Sequence, residues 1–437
     1  MTAHLSLAGL VAPVTVAEIE LAEPATVTYV SVATPPCDRV PQALVLVRLD
    51  ATPIGTVVVD APGGRVDVTS CAKEAWALLD DARDHLDRDG LPPRPMTRPP
   101  AHDTHEMSGE EAPFISVVVA TRDRPRSLMA CLDSLARLDY PNYEVVVVDN
   151  DPVTDETAAL MPSRPETNLR YARESRRGLA AAHNCGLEHT SGSIIAFTDD
   201  DVIVDRNWLT EVARAFQAGP DVACVTGLIM PAELQTPAQL LLETHGHFSK
   251  GFVQRLVDCH GHRPQDQLFP FAVGRLGSGA NMAFSREFLR ELRGFDPATG
   301  VGTVTRGGDD LGAFFSVLAA GHSLVYQPRA LIWHHHRREV ASLSRQVYGY
   351  GVGLGAYLTS VVVKHPGLLG QALRRAPTAL IYAFPGSPRN PRADGSWPRR
   401  LVWKEWQGIA FGPIAYCVSR WRSRRARRPN CGPAAPQ

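Results

Sequence analysis

The chain has 437 residues, 44% of them hydrophobic and 21% charged, which excludes a disordered polymer and leaves room for two or three domains with a sizeable core. Its formal net charge of −1 hides an asymmetry: from Lys364 onward 14 Lys and Arg face only Asp394 and Glu405, net +12, so the rest of the chain carries −13. Eight scattered cysteines without a CxxC pair indicate neither a zinc site nor a disulfide framework, and are expected to be reduced thiols.

The N-terminus, MTAHLSLAGLVAPVTVAEIE, lacks the charged stretch and small-residue cleavage site of a secretory signal, so the expected location is cytoplasmic. Residues 1 to 90 hold short β-favouring runs, TVTYVSV, ALVLVRL and TVVVD, separated by Pro and Gly turns. A helical stretch from Ser70 to Arg88 follows, with Ala72, Ala75, Trp76, Leu79 and Leu86 near a 3.6 period. This predicts a small β-rich domain closed by a helix. Residues 91 to 113 are rich in Pro and polar residues without periodicity, the composition of a linker.

From Phe114 strands alternate with helices. ISVVVA (115 to 120), YEVVVVDN (143 to 150), Leu169 to Ala172 and Ile194 to Phe197 read as buried strands; Pro125 to Leu138, Leu179 to His189 and Trp208 to Ala218 read as helices. Alternation at this spacing implies right-handed crossovers and a mostly parallel sheet. Ligands of such sheets bind at the carboxyl ends of the strands, which draws Thr121, Arg122, Asp149, Asn150 and the run Asp199, Asp200, Asp201 around one crevice. Like charges about 4 Å apart repel by roughly 1 kcal/mol in water and about 4 at an effective dielectric near 20. Three carboxylates at a strand end therefore want a cation, and hard oxygen ligands suit Mg²⁺ or Mn²⁺. Arg176, Arg177 and Gly178 precede a helix, an arrangement that favours anions. GSGANMAFS (277 to 285), with Gly279 and Asn281, puts small residues where backbone approaches a ligand closely. Asp309 and Asp310 open an apolar helix after TRGG. The run His334, His335, His336 ends the apolar ALIW strand, and a period of two turns His334 and His336 the same way.

ISVVVATRDRPRSLMACLDSL, YEVVVVDN, RRGLAAAHNCGLEHTSGSIIAFTDDD, GSGANMAFSREFLRELRGFDP and GGDDLGAFFSVLAAG, in this order over residues 114 to 340, resemble glycosyltransferase family 2, inverting sugar transferases with a Rossmann-like GT-A α/β fold and flanking helices, here with an extra N-terminal domain. The resemblance implies transfer from a nucleotide diphosphate sugar, a UDP-sugar by expectation, to a hydroxyl of a glycan, lipid-linked or natural-product acceptor. It implies nucleoside contacts at Thr121, Arg122 and Asp149, and nucleotide-sugar contacts at Arg177, Gly178, Asn184, Asp200, Gly279 and Asn281. Asp199 would approach ribose or metal, Asp201 would ligate Mn²⁺ or Mg²⁺, and one histidine would complete the metal shell, His334 first and His336 second. Asp310 is the expected base and Asp309 a supporting carboxylate, standing where the family usually has Glu. One rival is a nucleotidyltransferase, which needs a Gly-rich phosphate loop that ATRDRPRS lacks; the other is a catalytically silent nucleotide-sugar-binding scaffold.

Residues 341 to 437 read as a helical, basic region. Val347 to Val363 is 17 uncharged residues with four glycines, short of the ~20 that span a bilayer; it lies in a membrane interface or packs on the transferase domain. Beyond it Trp397, Trp403, Trp406 and Trp421 interleave with arginines, culminating in RWRSRRARR (420 to 428). That pattern favours peripheral contact with anionic lipid on the inner membrane face, and no signature of nucleic-acid binding accompanies it.

Overall fold

The computed structural model describes residues 7, 9–22, 25–32, 41–88, 112–246, 248–383 and 397–425. They fall into two compact units, one from residues 1–112, 228–253 and 333–340, the other from 113–227, 254–332 and 341–437. Most of the segment read as a linker, residues 91–111, lies outside the described residues.

The first unit is built on strands β1 (Val14–Glu20), β2 (Thr26–Ser31), β3 (Gln42–Leu49) and β4 (Thr52–Asp60), in the order β2-β1-β3-β4. β1 and β3 are parallel, and the other pairs antiparallel. The β3–β4 hairpin closes through Asp50 and Ala51, both at positive φ (47° and 60°), as a two-residue loop matching strand twist requires. Glu20 steadies that strained loop by accepting from both backbone N–H groups at 3.0 and 2.9 Å. Helix α1 (Val68–Arg88) buries Cys71 and Ala75 against Ile19, Val45 and Val47 of the sheet.

The second unit opens with β5 (Ile115–Thr121), α2 (Pro125–Leu135), β6 (Tyr143–Asn150), α3 (Glu156–Leu160), β7 (Leu169–Glu174), α4 (Leu179–His189) and β8 (Ile194–Asp199). These strands form the parallel ladder β8-β5-β6-β7. Val117, Val118, Val119, Val146 and Val147 are fully buried, as continuous β-branched runs in a sheet covered on both faces should be. The unit continues with β9 (Val202–Val204), α5 (Trp208–Phe216), β10 (Val222–Pro231), β11 (Arg255–Val257), β12 (Asn281–Ser285), α7 (Arg286–Leu292), α8 (Asp309–Ala319) and β13 (Ser323–His334), while α6 (Pro237–Gly246) and the last residues of β10 and β13 are counted with the first unit. The full sheet runs β11-β13-β10-β12-β8-β5-β6-β7, with β9 paired to β13. Beyond β8 the sheet changes character, because β12 is antiparallel to both β8 and β10. Register sets the site: Thr121 pairs with Asp149, and Ala120 with Asp199, so three strand ends meet on one line.

Helices α9 (Val340–Lys364), α10 (Leu369–Ala383) and α11 (Arg399–Arg425) complete the unit. Glycine lets α9 and α11 cross closely, since a Cβ on Gly412 would lie 2.5 Å from the Cα of Gly355. Tyr357 of α9 donates to the Phe271 carbonyl at 3.0 Å. Gly349, Gly351, Gly353 and Gly355 are all buried. Gly351 and Gly355 thus serve packing against α11, and Gly349 and Gly353 packing against the turn at residues 306–308. Among the described residues no helix is long and apolar enough to cross a membrane. Gly412→Val should cost about 1–3 kcal/mol or more by overpacking. Gly370→Ala, on α10 with open space around it, should be neutral or stabilise by up to ~1 kcal/mol; urea unfolding of both variants separates the two effects.

Candidate active site

The acidic run at the end of β8 is divided between two tasks. Asp200 is buried and turned toward β5 and α2: Thr121 Oγ1 donates to its Oδ2 at 2.7 Å, and Arg124 Nη1 to its Oδ1 at 2.6 Å. The second arm of the Arg124 fork reaches Asp201 Oδ2 at 2.7 Å. Arg124 stands at the N-cap of α2, just before Pro125 at the helix start. It is therefore the fixed countercharge of the run, and the sequence reading passed over it for Arg122. Arg122 instead bonds the Asp151 carbonyl at 2.9 Å and the Asp151 carboxylate at 3.2 Å. Thr121 and Asp200, read as nucleotide contacts, are joined to each other.

Asp199 and Asp201 each offer a carboxylate oxygen at the end of β8. Two carboxylates without a thiol suit a divalent cation such as Mn²⁺ or Mg²⁺. His336 does not fit the ligand role proposed for it. It is buried, its Nε2 lies 2.6 Å from Glu243 Oε2, and its Nδ1 lies 3.0 Å from His334 Nδ1. The Glu243 carboxylate pairs with His336, and His336 in turn orients His334, the arrangement by which an outer group fixes a ligand ring. Phe248 lies against both imidazoles, stacked on His334 at 6.0 Å and tilted to His336 at 4.9 Å.

Asp149 is fully buried at the end of β6, with its Oδ2 accepting from Tyr171 Oη at 3.0 Å. Its Oδ1 is buried without a hydrogen-bond partner, and burial raises its pKa above the usual carboxylate range. Next to it Asn150 clamps the following turn, accepting from the Gly178 N–H at 2.9 Å and donating to the Arg176 carbonyl at 2.7 Å. Gly178 has φ 139° and would place a Cβ 2.7 Å from Thr303 Cγ2, so only glycine fits. Arg176 is tied to Glu174 at 2.6 Å, which leaves Arg177 as the exposed cation of the turn.

Asp309 and Asp310 occupy the first turn of α8 behind Gly308, which is left-handed at φ 89°. Asp310 is held from two sides: its Oδ2 accepts from the Gly279 N–H at 3.0 Å and its Oδ1 from the Leu311 N–H at 2.8 Å. Gly279 thus sits beside the carboxylate, and a Cβ there would be 3.3 Å from that of Asp310. Asp309 is buried, with Oδ2 3.7 Å from His183 Nδ1. Burial first, then the charges of Asp310 and Asp199, drive the Asp309 carboxyl strongly toward its protonated form. His183, wedged between Phe197 and Phe295 at 4.8 and 5.0 Å, is pushed by burial down to about 3 and is neutral. The pair is therefore not an ion pair at neutral pH, and sequence reading gave His183 no role.

Two other assignments are not met by the geometry. The Asn184 side chain is spent on Phe295, accepting from its N–H at 2.8 Å and donating to its carbonyl at 2.9 Å. Asn281 accepts from Trp208 Nε1 at 2.9 Å and donates to the Ala330 carbonyl at 2.8 Å. Both amides brace the frame beneath the crevice.

Fold and site together form an α/β domain with an acidic cluster at the end of β8 that suits a divalent cation. Residues 116–293 match the profile of glycosyl transferase family 2. The succinoglycan biosynthesis protein ExoM of Rhizobium meliloti is 26% identical over 305 residues, covering 64% of this chain and 89% of that protein. The pre-mycofactocin glycosyltransferase of Mycobacterium tuberculosis is 25% identical over 62% of this chain and 50% of its own length. An uncharacterized Sinorhizobium fredii protein, y4gI, is 27% identical over 52% of this chain, which spans only 25% of it. Among solved structures, a Pyrobaculum calidifontis mannosyltransferase complex with GDP-Man and Mn²⁺ has 19% identity and a TM-score of 0.45 over 72% of this chain and 89% of that one. Residues 116–293 are thus similar to glycosyl transferase family 2.

An acid whose pKa rises on folding loses native stability as pH rises from its unfolded toward its folded value, because the unfolded chain releases the proton first. Asp309→Asn removes that penalty. Urea unfolding of metal-free protein should show the variant gaining on the native chain between roughly pH 5 and pH 8; a gap that does not change with pH contradicts a neutral Asp309.

Proposed function

We propose that the chain is a metal-dependent inverting glycosyltransferase that moves a sugar from a UDP-sugar to an acceptor hydroxyl. The observation that carries this reading is the pair of carboxylates Asp199 and Asp201 at the end of β8, within the segment that matches glycosyl transferase family 2. Asp310, anchored by the Gly279 and Leu311 N–H groups, supplies the base. Bound Mn²⁺ or Mg²⁺ supplies Lewis-acid stabilisation of the charge on the departing diphosphate.

The chain's own residues do the rest. The unpartnered Asp149 Oδ1 is a buried acceptor for a ring N–H of the base, which supports uracil at that edge. Arg177 and the turn that Asn150 clamps face the anion. Asp310 takes the proton of the acceptor hydroxyl as its oxygen bonds to the anomeric carbon and the bond to the diphosphate breaks. One displacement inverts that centre. Asp309, kept protonated by burial, adds no second negative charge beside the base. Asp310→Asn should leave donor binding intact and lower turnover roughly 10²- to 10⁴-fold, whereas Asp201→Ala should abolish metal-dependent donor binding. A panel of nucleotide sugars with and without Mn²⁺, with the product anomer read by NMR, tests both. Binding without turnover under every condition would favour the scaffold reading.

We also propose that the protein sits peripherally on an anionic membrane surface through α11. Trp403, Phe411, Ile414 and Trp421 of that helix are exposed, at 69%, 36%, 59% and 54%. Their offsets of 8, 11 and 18 residues at 100° per residue put them on one side. Arg425 covers the Trp421 ring at 4.0 Å. Trp403→Ser with Trp421→Ser should strongly reduce co-sedimentation with phosphatidylglycerol vesicles; unchanged sedimentation would end this reading.

A further inference from the structure

A stripe of α8 carrying Asp309, Gly312 and Ser316 walls a cavity of about 330 Å³ whose basic lining has no part in the proposed transfer. Its other walls are the turn after α7, the end of α9 and the last turns of α11. That volume is at the lower end of small-molecule sites, roughly 300–1,000 Å³.

The cavity's charge sets it apart. Four cations line it: Arg293, Lys364, Arg420 and Arg424. Two carboxylates face them. Asp296 is matched by Lys364 Nζ at 2.8 Å and by Tyr416 Oη at 3.0 Å, and Asp309 is driven toward its neutral form by burial. Among the described residues Arg293, Arg420 and Arg424 make no ion pair with a carboxylate; Arg420 rests over the Tyr416 ring at 5.9 Å and hydrogen-bonds that side chain. Three guanidinium groups brought around one cavity repel one another without an anion between them. Ser316, Ser360 and Ser423 add hydroxyls, which donate to carbonyls of their own helices at 2.7, 2.8 and 3.0 Å and can swivel toward a stronger acceptor.

We infer that this cavity binds a phosphate group, held by Arg420 and Arg424 of α11 with Arg293 and Lys364. Guanidinium forks match phosphate oxygens two at a time, which makes arginine the fitting residue. The phosphate has two possible sources, a soluble phosphate ester or a phospholipid headgroup. By the 100° rotation per residue, Tyr416 and Ser423 lie on the face of α11 opposite Trp403 and Trp421, while Arg420 and Arg424 flank that apolar stripe at about 100° and 60° from Trp421. The soluble and vesicle arms of the experiment distinguish the two sources.

The test uses the full chain in chelator, free of nucleotide, at fixed ionic strength. Calorimetric titrations with inorganic phosphate and with glycerol 3-phosphate are run beside sedimentation on phosphatidylglycerol and phosphatidylcholine vesicles. The variants are Arg420→Gln with Arg424→Gln and, as a control, Arg206→Gln, whose side chain is exposed and paired with Asp139 at 2.9 Å. Saturable one-to-one binding of a soluble phosphate, weakened roughly tenfold or more in the double variant and unchanged in the control, is the expected result. Binding only to phosphatidylglycerol vesicles, lost in the double variant alone, supports the site with a lipid source. No binding by any probe, or equal losses in the double variant and the control, overturns it. Thermal unfolding of both variants verifies the fold, and the lysine-preserving pair Arg420→Lys with Arg424→Lys should retain part of the affinity.

Discussion

Three consecutive carboxylates at the end of a buried strand are the constraint around which this domain is arranged. Burial of charge without compensation costs several kcal/mol per ion, and the chain divides the problem. Asp200 turns inward, where Thr121 and the Arg124 fork meet it. Asp201 shares that fork and, with Asp199, offers an oxygen to a cation. Arg124 therefore joins α2 to the end of β8 while holding the acidic run in place, and its bidentate grip is the kind that arginine supplies and lysine does not.

The same economy governs α8. Two adjacent aspartates at a helix start face the dipole favourably, but side by side in a buried place they cannot both be ionised cheaply. Asp310 receives two backbone N–H groups and is equipped to carry charge. Asp309 receives instead the unpartnered nitrogen of a neutral His183 at 3.7 Å, inside an aromatic shell. Equal residues thus acquire unequal roles from their surroundings.

The parallel half of the sheet was legible in the sequence because Val-rich runs and 3.6-period helices are local signals. The antiparallel return of β12 onto β8 was not, since the five residues Asn281–Ser285 carry no mark of direction. The acidic run was equally plain, as was the shared orientation of His334 and His336. Their partners were not. Glu243 lies 93 residues from His336, Arg124 lies 76 from Asp200, and Phe295 lies 111 from Asn184. An asparagine or histidine in a motif reads the same whether it faces a ligand or braces a distant backbone, and only the fold distinguishes them. Glycines behave likewise: those at 349 to 355 read as part of an uncharged run, and in the fold Gly351 and Gly355 meet α11 while Gly349 and Gly353 meet the turn at residues 306–308.

The most direct measurement is a Mn²⁺ titration followed by electron paramagnetic resonance, with and without UDP, on the native chain and on Asp201→Ala. Uptake of one Mn²⁺ per chain that tightens when UDP is added, and is lost in the variant, is the predicted result. Mn²⁺ that remains free in the presence of UDP, or that binds the variant as well as the native chain, would contradict a metal–nucleotide centre at the end of β8.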